Sequence, residues 1–263
     1  MMKWRYLLIY AVLLSLLGGC VSKSVKSTRV PAIQSPTASV PEEQLLDVGI
    51  VVFDPGLEDY DEEDEEYRVY PEVRRAEALF LPNKVSEALT ESGAWGAVRV
   101  LPDENQSTDI LIEGTILHSD GESLELEIVA TDSRGVIWLD RKYQANTSRY
   151  AYTLTARTTN DPFQAVFNSI ANDLLAELES TSADDRREIR LVTELLFAQA
   201  FSSEAFSGYL HSGKNGEKVI QRLPAENDPM LQRVRKIRER DHLFIDTLQD
   251  HYLDFDALMS SPY

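Results

Sequence analysis

Apolar and polar positions along this chain follow an order that reads as strand, helix, strand, three-strand meander and helix. Val48, Ile50, Val51, Val52 and Phe53 make a short, largely β-branched run bounded by Asp54-Pro55-Gly56, the pattern of a buried strand. Ala76, Leu79, Phe80, Val85 and Leu89 then recur at helical spacing over residues 71–92. Pro82 is expected to kink or split that helix, and Gly93 to end it. Residues 95–101 return to an extended pattern. Ile110, Ile112 and Ile116 alternate along one face with Gly114 in register, and Leu124, Leu126 and Ile128 alternate against Glu125 and Glu127. Asp120-Gly121 between these runs signals a hairpin, and Ser133-Arg134-Gly135 separates the second run from a third at 136–143. Each of the three strands is expected to keep one wet face. Asp161-Pro162 opens a helix with Phe163, Val166, Phe167, Ile170, Ala171, Leu174 and Leu178 on one stripe.

The expected fold is α/β (α+β). It comprises a mixed sheet of about five strands with an antiparallel meander, helices over one or both faces, and a mainly helical C-terminal extension. In that extension Ser182 to Asp185 can cap a helix running through Ile189, Val192, Leu196 and Phe201. A hairpin over residues 208–223 turns at 212–216. Asn227-Asp228-Pro229 starts a last helix with Leu231, Val234, Ile237, Ile245, Leu248, Tyr252 and Phe255 near one stripe. Trp95 and Trp138 are expected in the core.

The first twenty residues have a different grammar. Lys3 and Arg5 precede an apolar run at 6–17, and Leu17-Gly18-Gly19-Cys20 closes it with small residues. This is the order of a secretory signal, and the run is shorter than the roughly 20 residues of a spanning helix. An uncleaved anchor is the alternative. Leu17-Gly18-Gly19-Cys20 resembles the lipobox of bacterial lipoproteins. That resemblance implies cleavage before Cys20, a diacylglyceryl group on its sulfur, N-acylation, and hence three chains in the membrane. With Val21 rather than Asp after the cysteine, it implies the periplasmic face of the outer membrane. The expected organisation is a signal peptide at 1–19, lipidated Cys20 with a flexible tether through residue 44, a sheet domain at 45–180 and the extension at 181–263. The Ser-, Thr-, Pro- and Val-rich stretch at 21–44 would, as a coil, hold its ends about 25–30 Å apart.

Element order carries a second resemblance, to periplasmic domains of the curli-channel and penicillin-binding-protein-activator lipoproteins and to the N-terminal domain of the Tol periplasmic protein. The residues concerned are the strand at 48–53, residues 89–100 with Gly93 and Trp95, the strand opening at Asp109, and the hairpins. The resemblance implies a similar periplasmic α/β domain.

Charge narrows the partners. Residues 21–180 hold 13 Lys+Arg against 30 Asp+Glu, a net of −17, and residues 181–263 hold 11 against 14, a net of −3. Such a body repels nucleic acid and anionic headgroups, so the acyl chains at Cys20 would supply the membrane contact. Cys20 is the chain's one cysteine, which leaves no disulfide and makes a packed core carry the stability.

Catalytic and metal chemistry find little purchase. Residues 58–66 carry eight acids in nine positions, but lack the Gly and ligand spacing of a calcium loop. They read as a solvated loop, with weak cation binding as the alternative. The four histidines form no His-x-x-x-His pair, so no metal and no cofactor are expected. Gly-x-Ser-x-Gly and phosphate-loop motifs are absent, and Phe206-Ser207-Gly208 lacks the preceding elbow glycine. The expectation is a non-enzymatic accessory or assembly factor that binds envelope proteins. Its rivals are a small-molecule, lipid or glycan-binding lipoprotein and a periplasmic hydrolase. The candidate partner-binding residues are Arg233, Arg235, Arg238 and Phe255 on the last helix. The alternative packs that helix on the sheet domain, with its arginines meeting that domain's acids.

Overall fold

The computed structural model describes residues 23–27, 30–57, 70–102, 107–147, 161–214 and 216–260, with backbone alone at 23–27, 253 and 255–260. Strand β2 (Val48–Val51) lies between two parallel neighbours, β3 (Val98–Leu101) and β4 (Ile110–Ser119). From β4 the chain runs antiparallel through β5 (Ser123–Asp132) and β6 (Ile137–Asn146). Those five strands are the expected mixed sheet with its meander. A sixth, β1 (Lys23–Ser27), pairs parallel with β6, giving the order β1-β6-β5-β4-β2-β3.

One face of the sheet is dry. Ile110, Ile112, Ile116, Leu124, Leu126 and Ile128 are all fully buried beneath α1 (Pro71–Ser92) and α2 (Gln164–Ser180), which pack against each other as well as the sheet. Glu113, Glu127 and Lys142 mark the wet face, where Lys142 pairs with Glu127 at 3.5 Å. Gly114 belongs to the dry face because the Phe53 ring fills its place; a Cβ there would sit 2.6 Å from that ring. Trp95 is buried and Trp138 packs beside it, with ring centroids 6.4 Å apart.

Pro82 does not split α1. It has no N–H to offer the Ala78 carbonyl, and that carbonyl instead accepts the Phe53 N–H at 3.0 Å. A defect within the helix thus becomes a link to the end of β2. Gly93 ends α1 as expected, with φ 66° in the left-handed region.

The expected tether is corrected over residues 30–44. The Asn168 and Asn172 side-chain amides donate to the Pro31 and Ala32 carbonyls at 2.8 and 2.9 Å, and Glu179 accepts from the Thr37 N–H at 2.8 Å. Ile33 packs on the core, and a short 3-10 turn (Glu42–Gln44) meets Arg190. This stretch has no periodicity because side chains of α2 satisfy its backbone. The leader, Cys20 and the acidic block at 58–66 lie outside the described residues.

The extension begins with α3 (Ala183–Phe201), capped as expected by Ser182, whose hydroxyl accepts the Asp185 N–H at 3.1 Å. A short helix α4 (Ser203–Phe206), the hairpin β7 (Leu210–Ser212) and β8 (Lys218–Ile220), and α5 (Pro229–Ser260) follow. Asp228 starts α5 by accepting the Met230 N–H at 2.8 Å. Val192, Leu195, Phe206, Leu231 and Val234 form a second apolar cluster, while Ile189 of α3 belongs to the first. The Ser133 hydroxyl, at the end of β5, donates to the Ile189 carbonyl at 2.7 Å, and Arg134 pairs with Asp185 at 3.0 Å. These contacts seat α3 against one end of the sheet.

Candidate functional site

At that end, Asp47 and Asp109 immediately precede the parallel strands β2 and β4, so topology brings them side by side. Asp109 Oδ2 accepts the Asp47 N–H at 2.9 Å, and Asp47 Oδ1 accepts the Ala97 N–H at 2.9 Å. Two carboxylates therefore tie together the starts of β2, β3 and β4. Asp109 is only 3% exposed, and its Oδ1 has no hydrogen-bond partner among the described residues. The Thr193 hydroxyl is near, and it also lies within reach of the Ile189 and Thr108 carbonyls, at 3.0 and 3.4 Å. Burial pushes the Asp109 carboxyl pKa up; Thr193 and Arg238 pull the other way.

Helices α3 and α5 close the other side of a cleft of about 540 Å³. Glu194 on α3 forms a two-pronged ion pair with Arg235 on α5, one prong at 3.0 Å. Arg190 sends both of its hydrogen bonds from Nη1, to the Glu42 and Leu45 carbonyls. Arg238 pairs with no carboxylate among the described residues, and its buried Nε has no acceptor. His242 stands beside them. Burial and the charges of Arg99 and Arg238 push its pKa down to about 4, so it is neutral at neutral pH. No hydroxyl or thiol lines this cleft among the described residues; its lining is carboxylates, guanidinium groups, Leu191 and His242.

A second concavity, of about 230 Å³, lies where α1, the ends of β2 and β3, and the second half of α5 meet. Its walls include Leu79, Phe244, Ile245, Leu248 and Tyr252. Leu79, Phe244 and Leu248 are 50%, 65% and 51% exposed, and neighbouring Leu243 is 66% exposed. Helix α5 reaches this place by covering edge strand β3. Asp246 takes a bidentate bond from Arg99 at 2.6 and 3.2 Å, and Gln249 accepts the Val100 N–H at 3.2 Å.

The four residues singled out on the last helix thus have different fates. Arg233 is exposed, Arg235 is held by Glu194, and Arg238 lines the charged cleft. The Phe255 side chain lies outside the described residues. The first half of α5 packs on α3 of the extension, where Arg235 meets Glu194. It is the second half that meets the sheet domain, at β3, with Phe244 and Leu248 left exposed. Asp47 and Asp109 were not singled out, because each reads in sequence as an ordinary polar residue before a strand. The signal missed was that two strands of one parallel set both open on Asp. Among the described residues no group of three His, Cys, Asp or Glu is placed to hold a metal, and no helix is long and apolar enough to cross a membrane.

No protein-family model matches the chain, and no curated protein shows significant similarity to it.

Proposed function

We propose that this protein is a lipid-anchored accessory or assembly factor of the cell envelope that works by binding another envelope protein, without catalysis of its own. The observation that carries this reading is the open apolar groove edged by Leu79, Phe244 and Leu248 beside exposed Leu243. Large exposed side chains gathered at one concavity mark interaction sites far more than isolated ones do. Charge defines the occupant. Residues 241–260 hold five Asp and no Lys or Arg, and the sheet domain is strongly acidic. The partner accordingly presents an apolar helix or strand flanked by basic side chains.

In this reading Cys20 carries the acyl chains and places the body at the periplasmic face of the outer membrane. Only two residues separate Cys20 from β1, a reach of about 10 Å. The sheet domain would therefore stand against the bilayer surface, without the longer standoff of a free tether. Confinement to that surface raises its effective concentration near membrane-bound partners.

The test is crosslinking in intact cells, recovery of the protein and mass spectrometry, with Cys20→Ser and Phe244→Asp variants alongside. An envelope protein recovered with the wild type, reduced in Cys20→Ser and lost in Phe244→Asp, is the expected result. Recovery of further copies of this chain alone would replace the reading with self-association. Equal recovery with Phe244→Asp would remove the groove from it.

A further inference from the structure

Beside the Glu194–Arg235 pair, the charged cleft holds groups of both signs that form no ion pair among the described residues. Among the described residues Arg238 pairs with no carboxylate, and Arg190 binds only backbone carbonyls, through one of its three nitrogens. Across the same lining, Asp109 keeps a buried oxygen without a hydrogen-bond partner among the described residues. Glu43 and Glu239, also on the lining, make no ion pair among the described residues. Buried polar atoms without partners are rare in folded proteins, because each keeps its desolvation cost with no bond to offset it. Here the two residues that carry an orphan acceptor and an orphan donor line one concavity, away from the apolar groove.

We infer that this cleft is a binding site for a small zwitterion, an amino acid or a short peptide with both termini free. The ligand ammonium donates to Asp109 Oδ1, and the ligand carboxylate accepts from the Arg238 and Arg190 guanidinium groups. Each orphan thereby gains the partner type it lacks. A simple anion would gain the arginines but meet Asp109; a simple cation or metal ion would gain Asp109 but meet the arginines. The volume of about 540 Å³ lies within the range of ligand pockets, about 300–1,000 Å³, and has room for more than one residue. His242, neutral beside the site, adds no charge to either end. Burial raises the Asp109 carboxyl pKa, and a bound ammonium would pull it back down.

The test is calorimetric titration of the detergent-solubilised full chain with L-alanine, L-alanyl-L-alanine, and the N-acetylated and C-amidated forms of the dipeptide. Saturable binding of a free zwitterion is expected, with both blocked dipeptides at least about tenfold weaker than the free one. Alanine binding as tightly as the dipeptide would assign the site to amino acids, and tighter dipeptide binding would assign it to peptides. Arg238→Gln and Asp109→Asn should each weaken binding by at least about tenfold. Arg238→Gln carries the test if Asp109→Asn disturbs the strand starts. No saturable binding of alanine or the dipeptide up to about 10 mM, or equal binding of the blocked forms, would overturn the inference.

Discussion

The two halves of α5 are built from similar apolar side chains and meet opposite environments. Leu231 and Val234, in the first half, are 4% and 1% exposed against Val192 and Leu195 of α3. Phe244 and Leu248, in the second, stand more than half exposed. Flanking charge changes as well. Residues 229–240 hold five Lys and Arg with one acid, whereas 241–260 hold five Asp and no Lys or Arg. The first half is fastened to its own chain by apolar burial and the Arg235–Glu194 pair. The second half is held at the edge of β3 by Asp246, Gln249 and buried Ile245, while Leu243, Phe244 and Leu248 remain on the surface. Polar contacts together with one buried isoleucine thus fix this half of the helix in place and leave Leu243, Phe244 and Leu248 exposed.

Aspartate introduced into each half should separate them. Val234→Asp should cost about 3–5 kcal/mol in chemical unfolding, because it places an unpaired carboxylate in the second apolar cluster.

Acid should act at the junction between the halves, through His242. An unfolded histidine titrates near 6.5, and the folded one near 4. Between those values the unfolded chain binds the extra proton, so this contribution to stability is full above pH 6.5 and falls as pH drops toward 4. Asp109 has the opposite sign, because its raised folded pKa lets the native state take up a proton first as pH falls. The measurement is therefore the difference in Tm between wild type and His242→Gln across pH 7 to 4, with wild type losing ground as pH falls. A constant difference would show that His242 is not held neutral.

Smaller effects sharpen the contrast. Arg235→Ala should cost only about 0.2–1 kcal/mol, since the Arg235 side chain is 54% exposed and water screens its pair with Glu194. A double-mutant cycle with Glu194→Ala measures that coupling. Phe244→Asp should change unfolding free energy by no more than about 0.5 kcal/mol, because the side chain already faces water.

Much of the fold was legible because its signals are local. Alternation placed β4 and β5, Asp120-Gly121 placed their turn, Ser182 and Asp228 marked helix starts, and Gly93 marked a stop. The parts misread depend on distant groups. Residues 30–44 look like a tether until Asn168, Asn172 and Glu179 are seen to satisfy their backbone from more than 130 residues away. Pro82 looks like a helix break until Phe53 takes the carbonyl it leaves open. The charged cleft was half legible. The arginines of α5 stood out as a cluster, but Asp47, Asp109 and Arg190 come from separate segments that only the folded sheet and α3 bring beside them.

Site-specific photocrosslinking in intact cells tests the groove most directly, with a photoreactive phenylalanine analogue at position 244 and, as control, at exposed Val136 on the β5–β6 turn. The account predicts a discrete crosslinked envelope protein from position 244 and none from position 136. No product from position 244, or the same products from both positions, would contradict it.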